Sequence, residues 1–453
     1  MKRQIFYGVL LLALALGAEA AFARVNRQEF AETVYPEPVE YPVYEDYNDP
    51  QTGEFDQAAF DKAYDLWWDA SQERWEKMDR LNLDLDAFLT DSARIFLADS
   101  GGENRLYSPL NVYLALGMLA ETAEGESRAQ ILNLLGEESI EALRENARNL
   151  WDIHYRGGEK AASILAGSLW LANDRTYNPE TLASLTENYY ASSYRGKMGS
   201  AGFDQALRDW INDQTGGLLT EQASGLKLEP ETVIALASTV YYRARWQDAF
   251  SREDTTRRPF HTLEGDRGHE FLNQRLYSGD YYWQDQFSAV PLHFAGIQDA
   301  IWFLLPDGGV RPEDLLENGE ALKFLLSSYE EKEAQSKYVQ IDFSMPRFDV
   351  SSSFDLADGL KALGVTDVFD WMAADFSPLC KDAEGIYVSS IPHAVGVTVD
   401  EEGIAAAAFT VDMLVGDGGP PEDEIDFVLD RPFLFAIMGD DGLPVFIGIV
   451  NQP

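Results

Sequence analysis

Cysteine is nearly absent: Cys380 stands alone in a chain of 453 residues. A lone thiol excludes an internal disulfide and a cysteine-built metal centre, and it reads as a small buried hydrophobe. Basic residues are scarce as well. Lys and Arg number 35 against 77 Asp and Glu, a net charge of −42. So negative a surface repels nucleic acid and anionic membranes, and no contact with either is expected. It suits solubility, a salty medium or the capture of a basic partner. The five histidines, at 154, 261, 269, 293 and 393, form no H-E-x-x-H. No G-x-S-x-G elbow, phosphate loop or dinucleotide fingerprint occurs, and acidic pairs carry no information among so many acids. No cofactor and no metal is expected. NDPQTGEFD faintly resembles a calcium loop, but its oxygen ligands and central glycine are out of register. Ser389 and Ser390 precede His393 in YVSSIPHAVGVTV, where a serine–histidine pair is conceivable. No third orienting group accompanies them, so a hydrogen-bonded core histidine is expected and no catalytic residue is assigned.

Long apolar runs are confined to the start. Lys2 and Arg3 precede an apolar run from Ile5 to Leu16, and Ala18-Glu19-Ala20 is a small-x-small cleavage site. The pattern predicts a signal peptide over 1–20, too short for a membrane span, and hence an extracellular or periplasmic protein. Residues 21–84 read as an acidic, Tyr/Pro-rich extension plus an amphipathic helix. Prolines 36, 38, 42 and 50 break any continuous helix, so irregular or extended chain is expected up to about residue 56. This stretch reads either as a solvated acidic tail or as an arm for a basic site. From Phe60, the residues Tyr64, Trp67, Trp68, Trp75 and Met78 recur at helical spacing as a packing stripe.

Residues 85–453 contain no repeat and no low-complexity linker, which argues for one large domain. Ser108 is placed to cap a helix with Pro109 in its first turn, and that helix, apolar nearly all round, is expected to be deeply buried. Gly136 ends the next. ILAGSLWLA, VIALASTVYY, DAIWFLLP and VQIDFSMPRFDV read as strands, and FDLADGLKALG as a short helix stopped by Gly364. Helices dominate early and strands later, so the class is α+β.

Many separated pieces resemble one family, the serpins. Ser108-Pro109-Leu110 with Ala115, Leu116 and Met118 resembles its buried second helix. Trp210 and Thr215 hold the places of a further motif. In ALASTVYYRARWQDAF, Tyr241, Trp246 and Phe250 fit, while Ser238, Thr239 and Ala244 depart from the family's Asn-Ala and Gly. MPRFDVSSSFDLADGLKALGVTDVFD, Ala374-Asp375-Phe376-Ser377, YVSSIPHAVGVTVDEEG, Asp430-Arg431-Pro432-Phe433-Leu434-Phe435, Gly448 and Pro453 complete the series. In this order and spacing the set is specific. The resemblance is to a secreted, prokaryotic member, and it spans residues 85–453.

The resemblance implies about nine helices, three β-sheets and an exposed reactive-centre loop. It implies a monomeric suicide substrate whose partner is a target protease, of the serine type or a caspase-like cysteine type. The cut loop enters the main sheet as a new strand and traps the acyl-enzyme. A non-inhibitory binding, carrier or storage protein is the alternative. The implied hinge is Glu401, Glu402, Gly403, Ile404, Ala405, Ala406, Ala407 and Ala408. Strand side chains alternate faces, so Ile404, Ala406, Ala408, Thr410 and Asp412 would point inward. Small inward residues ease insertion; Ile404, in place of a small hydroxyl residue, and Asp412 work against it. The family spacing, about sixteen residues beyond Glu401, puts the reactive bond at Asp417–Gly418, with Leu414 and Val415 as alternatives. Cleavage after Asp417 suits an aspartate-preferring protease; cleavage after Leu414 or Val415 suits an elastase- or subtilisin-like one.

Overall fold

The computed structural model describes residues 28–42, 44–49, 52–81, 83–158, 161–404 and 421–453. The signal-peptide segment, Ala405–Ala408, Thr410, Asp412 and the candidate bonds at Leu414, Val415 and Asp417–Gly418 lie outside them. Among the described residues, seventeen strands, numbered along the chain, build the fold. The main sheet contains β1 (Gln28–Ala31), β3 (Arg156–Gly157), β4 (Ala161–Ala172), β5 (Ala191–Gly196), β6 (Ile234–Arg245), β12 (Phe348–Asp355), β13 (Pro392–Val399) and β14 (Gly403–Ile404). Its order is β1-β5-β4-β6-β14-β13-β12, with β3 on β4.

The remaining strands are β2 (Arg105–Tyr107), β7 (Thr256–Thr262), β8 (Gly265–Trp283), β9 (Phe287–His293), β10 (Ala300–Pro306), β11 (Ser336–Pro346), β15 (Glu424–Val428), β16 (Phe433–Met438) and β17 (Pro444–Val450). They form one hydrogen-bonded path, β15-β11-β8-β9-β10-β16-β17-β2, with β7 on β8. The 19-residue β8 belongs to two sheets. Most of its length pairs with β7 and β11, and only Tyr282 and Trp283 reach β9. Seen this way, the expected three sheets are present, two of them sharing β8. The twelve α-helices among the described residues exceed the nine expected, because short turns such as Tyr329–Glu333 and a helix ahead of residue 85 are included. None is long and apolar enough to cross a membrane.

Helix Pro109–Thr122 is the hub of the core. Every one of its residues is buried, as its uniformly apolar sequence requires. Ser108 does not cap it as expected. Its hydroxyl donates instead to the Val445 carbonyl at 2.7 Å, because both faces of the turn are enclosed by β-structure. Gly136 does close the following helix, at φ 72°. The run VQIDFSMPRFDV, read as one strand, divides at Arg347: β11 ends before it and β12 begins after it in a different sheet. Arg347 is thereby aimed at the corner between the sheets.

Parts of the extension among the described residues are docked, while residues 36–41 stay exposed. β1 adds to the edge of the main sheet against β5. Tyr35 lies against Trp151 and Tyr155, and its hydroxyl donates to Oε1 of Gln214 at 3.1 Å. Burial pushes that phenol well above the ordinary tyrosine range. Helix Gln57–Arg80, with Asp56 as its cap, is held by ion pairs from Arg74 to Asp440 and from Lys77 to Asp152. Of its aromatic residues only Phe60 is buried.

Candidate functional site

The chain leaves β13, turns back and enters the main sheet. Asp400 makes the turn. Its Oδ1 accepts from the Glu402 and Gly403 amides at 2.8 and 3.2 Å, an Asx turn of the kind short acidic side chains favour. Gly403 and Ile404 then lie as β14 between β6 and β13, antiparallel to both. Gly403 has φ 149°, and an added Cβ would sit 2.2 Å from the Ala244 carbonyl oxygen. Only glycine fits there. Ile404 is fully buried in the main core.

A polar clamp surrounds this opening. Glu401 is only 4% exposed, yet it is well partnered. Its carboxylate ion-pairs with Arg347 and accepts from the Thr255 hydroxyl at 3.0 Å. Arg347 also reaches Glu270 at 3.2 Å. Burial pushes the Glu401 carboxyl up, but backbone hydrogen bonding, Arg347 and Thr255 outweigh it and hold the group below the ordinary glutamate range. The Phe250 amide donates to the Glu401 carbonyl and the Trp246 amide to that of Glu402, at 2.9 and 3.2 Å. Trp246, stacked on Phe294, donates its indole N–H to the Asp400 carbonyl at 2.9 Å. The exposed Arg252 pairs with Glu402 at 2.6 Å.

The other end of the same gap is shut. There β6 and β13 pair directly and in parallel, His393 with Ser238 and Ala394 with Thr239. His393 is fully buried between Tyr107 and Phe354, and its Nε2 accepts from the Ser108 amide at 3.3 Å. Acceptance at Nε2 puts the proton on Nδ1, which has no acceptor among the described residues. Burial pushes the imidazole down to about 3, so it is neutral at ordinary pH. Its hydrogen-bond partner is Ser108, not Ser389 or Ser390, and a hydroxyl–imidazole relay has no geometric basis. Asn111 donates to the Ser238 hydroxyl at 3.1 Å, extending the buried polar group. Cys380 is a buried free thiol. No group of three or more metal-ligating side chains occurs among the described residues.

Of the expected hinge, the structure places Glu401, Glu402, Gly403 and Ile404, all at this opening. Sequence reading missed the residues that hold them: Arg347, Thr255 and Asp400. Asp400 alone carried a local signal, an Asp two and three residues ahead of the amides it captures. Arg347 and Thr255 come from distant segments and carried none.

A family model described as Serpin (serine protease inhibitor) matches residues 85–453, and the chain belongs to that family. It is 28% identical over 359 residues to the human leukocyte elastase inhibitor, covering 77% of this chain and 93% of that protein. The native thermophilic serpin tengpin superimposes with a TM-score of 0.72 at 25% identity, over 83% of this chain and 98% of its own. Thyroxine-binding globulin with thyroxine bound shares the fold, with a TM-score of 0.70 at 19% identity over 82% of this chain and 99% of its own. Relatives from human, mouse and rice give no support to the prokaryotic origin expected from the sequence.

Proposed function

We propose that this chain is a secreted, monomeric suicide-substrate inhibitor of endopeptidases, serine-type in the first place and caspase-like cysteine-type as the second option, and is not itself an enzyme. The observation that supports it most is β14. Gly403 and Ile404 occupy the top of a gap that is still closed at His393. The target's nucleophile attacks the carbonyl of the scissile bond, taken as Asp417–Gly418, and forms an acyl-enzyme while the amine of residue 418 leaves. The severed loop is then free to continue the strand that Ile404 begins.

The register of β14 supports one path for that strand. Continued along both neighbours, it brings Thr410 opposite Ser238 and His393 together, so insertion must part the two direct β6–β13 pairs. Ala406 and Ala408 would share the core face with Ile404 and meet little resistance. Small side chains on the entering face are what a strand needs to slide into a closed sheet, and strain stored before cleavage is released as it enters.

Asp412 supports a second reading. In the same register it would face the core beside Leu236, where an unpaired carboxylate costs several kcal/mol. A carrier or storage protein that is never required to insert its loop tolerates such a residue. Incubation with aspartate-preferring, elastase-like and subtilisin-like serine proteases and with a caspase decides between them. The inhibitor reading requires an SDS-stable complex with at least one enzyme, and mass spectrometry of the released fragment identifies the bond. Clean cleavage by all of them without a complex sustains the carrier reading. Faster trapping by Asp412→Ala is expected if late insertion is the slow step. Appearance of a mature chain starting after Ala20 outside expressing cells checks export.

A further inference from the structure

Helix Gln57–Arg80 turns different chemistries to different sides. At 100° per residue, Phe60, Trp67, Ser71 and Arg74 point to the body of the molecule. Tyr64, Trp68 and Trp75 line one shoulder, and all three are exposed, at 37%, 43% and 40%. Trp68 and Trp75 meet edge to face, with centroids 5.7 Å apart, and leave a corner open to solvent. Tyr41 and Tyr44, also exposed, extend the row by packing on Tyr64 and Phe60. Beside the aromatic shoulder lie Asp61, Asp65 and Asp79, all exposed, and from Asp61 the acids Asp65, Asp69 and Glu73 repeat every four residues toward the far side of the helix. The two cations of the helix that face inward, Arg74 and Lys77, are committed to Asp440 and Asp152.

This arrangement costs the helix something. Like charges four residues apart each destabilise it by about 0.2–0.5 kcal/mol, and exposed tryptophans gain nothing from water. Both features make sense against a cation. An aromatic face attracts an ammonium or guanidinium through its quadrupole, and carboxylates alongside complete the site. A nucleic acid or an anionic membrane is repelled by the same stripe.

We propose that the aromatic shoulder and acidic face of helix Gln57–Arg80 form a docking surface for an Arg/Lys-rich segment of a protein partner. Arginine or lysine side chains lie over Trp68 and Trp75 and pair with Asp61, Asp65 and Asp79. Under the inhibitor reading that partner is the target protease, held by a second contact away from its active site; only this naming of the partner rests on that reading.

The test needs no protease. Capped octa-arginine is titrated into the full chain, with binding followed by tryptophan fluorescence and calorimetry at fixed ionic strength. Trp68→Ala/Trp75→Ala keeps the net charge and is expected to weaken binding about fivefold or more. Asp61→Asn/Asp65→Asn/Asp79→Asn is expected to weaken it further. Glu229→Gln/Glu231→Gln/Glu384→Gln removes three exposed charges elsewhere and is expected to change affinity less than twofold. Helix variants that bind no worse than this control would reduce the interaction to general attraction by an acidic protein and overturn the proposal. Trapping of a protease proceeds or fails independently of that result.

Discussion

The two ends of the β6–β13 gap differ in what holds them. At the open end, a two-residue strand is wedged in and fastened by ion pairs whose arginines reach water, Arg347 to Glu270 and to the nearly buried Glu401, and Arg252 to Glu402. At the closed end, the strands meet directly around neutral, fully buried polar groups, with His393 at the centre. The open end is therefore adjustable, since exposed ion pairs are worth little and exchange readily. The closed end is set, since a buried neutral network loses much when one member is charged or removed. Under the proposed mechanism a strand would enter from the open side, and the barrier to its advance would lie at His393.

The largest expected effect breaks the closed end by pH. His393 has a folded pKa depressed from 6.5 to about 3, so its neutral form contributes stability above the unfolded value and that contribution is lost as pH falls. Between pH 7 and pH 4 the loss is about 3 kcal/mol from this group alone. His393→Asn is expected to remove that share of the acid sensitivity in urea unfolding at the two pH values. An unchanged slope would show that the closed end does not depend on a neutral imidazole.

The wedge is tested next. Gly403→Val cannot keep the backbone of β14 against Ala244, so the strand should be expelled and Ile404 exposed, at a cost of about 2–3 kcal/mol. Hydrogen exchange at the amides of residues 399 and 404 should accelerate while the His393–Ala394 segment stays protected. Equal acceleration at both ends would deny their independence.

Arg347→Met probes the clamp and should cost less, about 1–2 kcal/mol, because the Arg347 side chain is 42% exposed although Glu401 is nearly buried. The Glu401 carboxyl sits below 4.5 in the folded state, so its contribution is present above that value and fades as pH drops through the lower one. The variant should therefore differ from the parent above about pH 5 and converge with it in acid. The smallest effect lies away from both ends. Tyr35→Phe removes one hydrogen bond to Gln214 and should cost about 1 kcal/mol in thermal unfolding, with exchange at residues 399 and 404 unaltered.

The two ends also differ in how much of them the sequence disclosed. In the run DEEGIAAAAFT the family resemblance implied a hinge, and the part of it among the described residues, Glu401 to Ile404, lies at the open end. The strands β4, β6 and β10 and the buried helix Pro109–Thr122 were legible from apolar runs. Arg347 was not, because a single strand-like pattern hid the change of sheet that aims it at Glu401. Nor was Ser108 as the donor to His393, a contact across 285 residues of sequence that no local period encodes. The charged hairpin β7–β8 went unread because half-exposed strands lack an apolar signal. The extension misled by composition: proline and acid suggest solvated chain, while Tyr35 packs on Trp151 and Tyr41 meets Trp67 of the long helix edge to face.

The most direct test of a sheet poised to accept its loop is thermal stability before and after cleavage. The chain is cut by a protease that opens the stretch between residues 405 and 420, purified with both fragments associated, and melted beside the intact protein. Continuation of β14 past His393 predicts a large rise in Tm, accompanied by protection of β6 and β13 along their whole length. An unchanged or lowered Tm in a cleanly cut sample would contradict it.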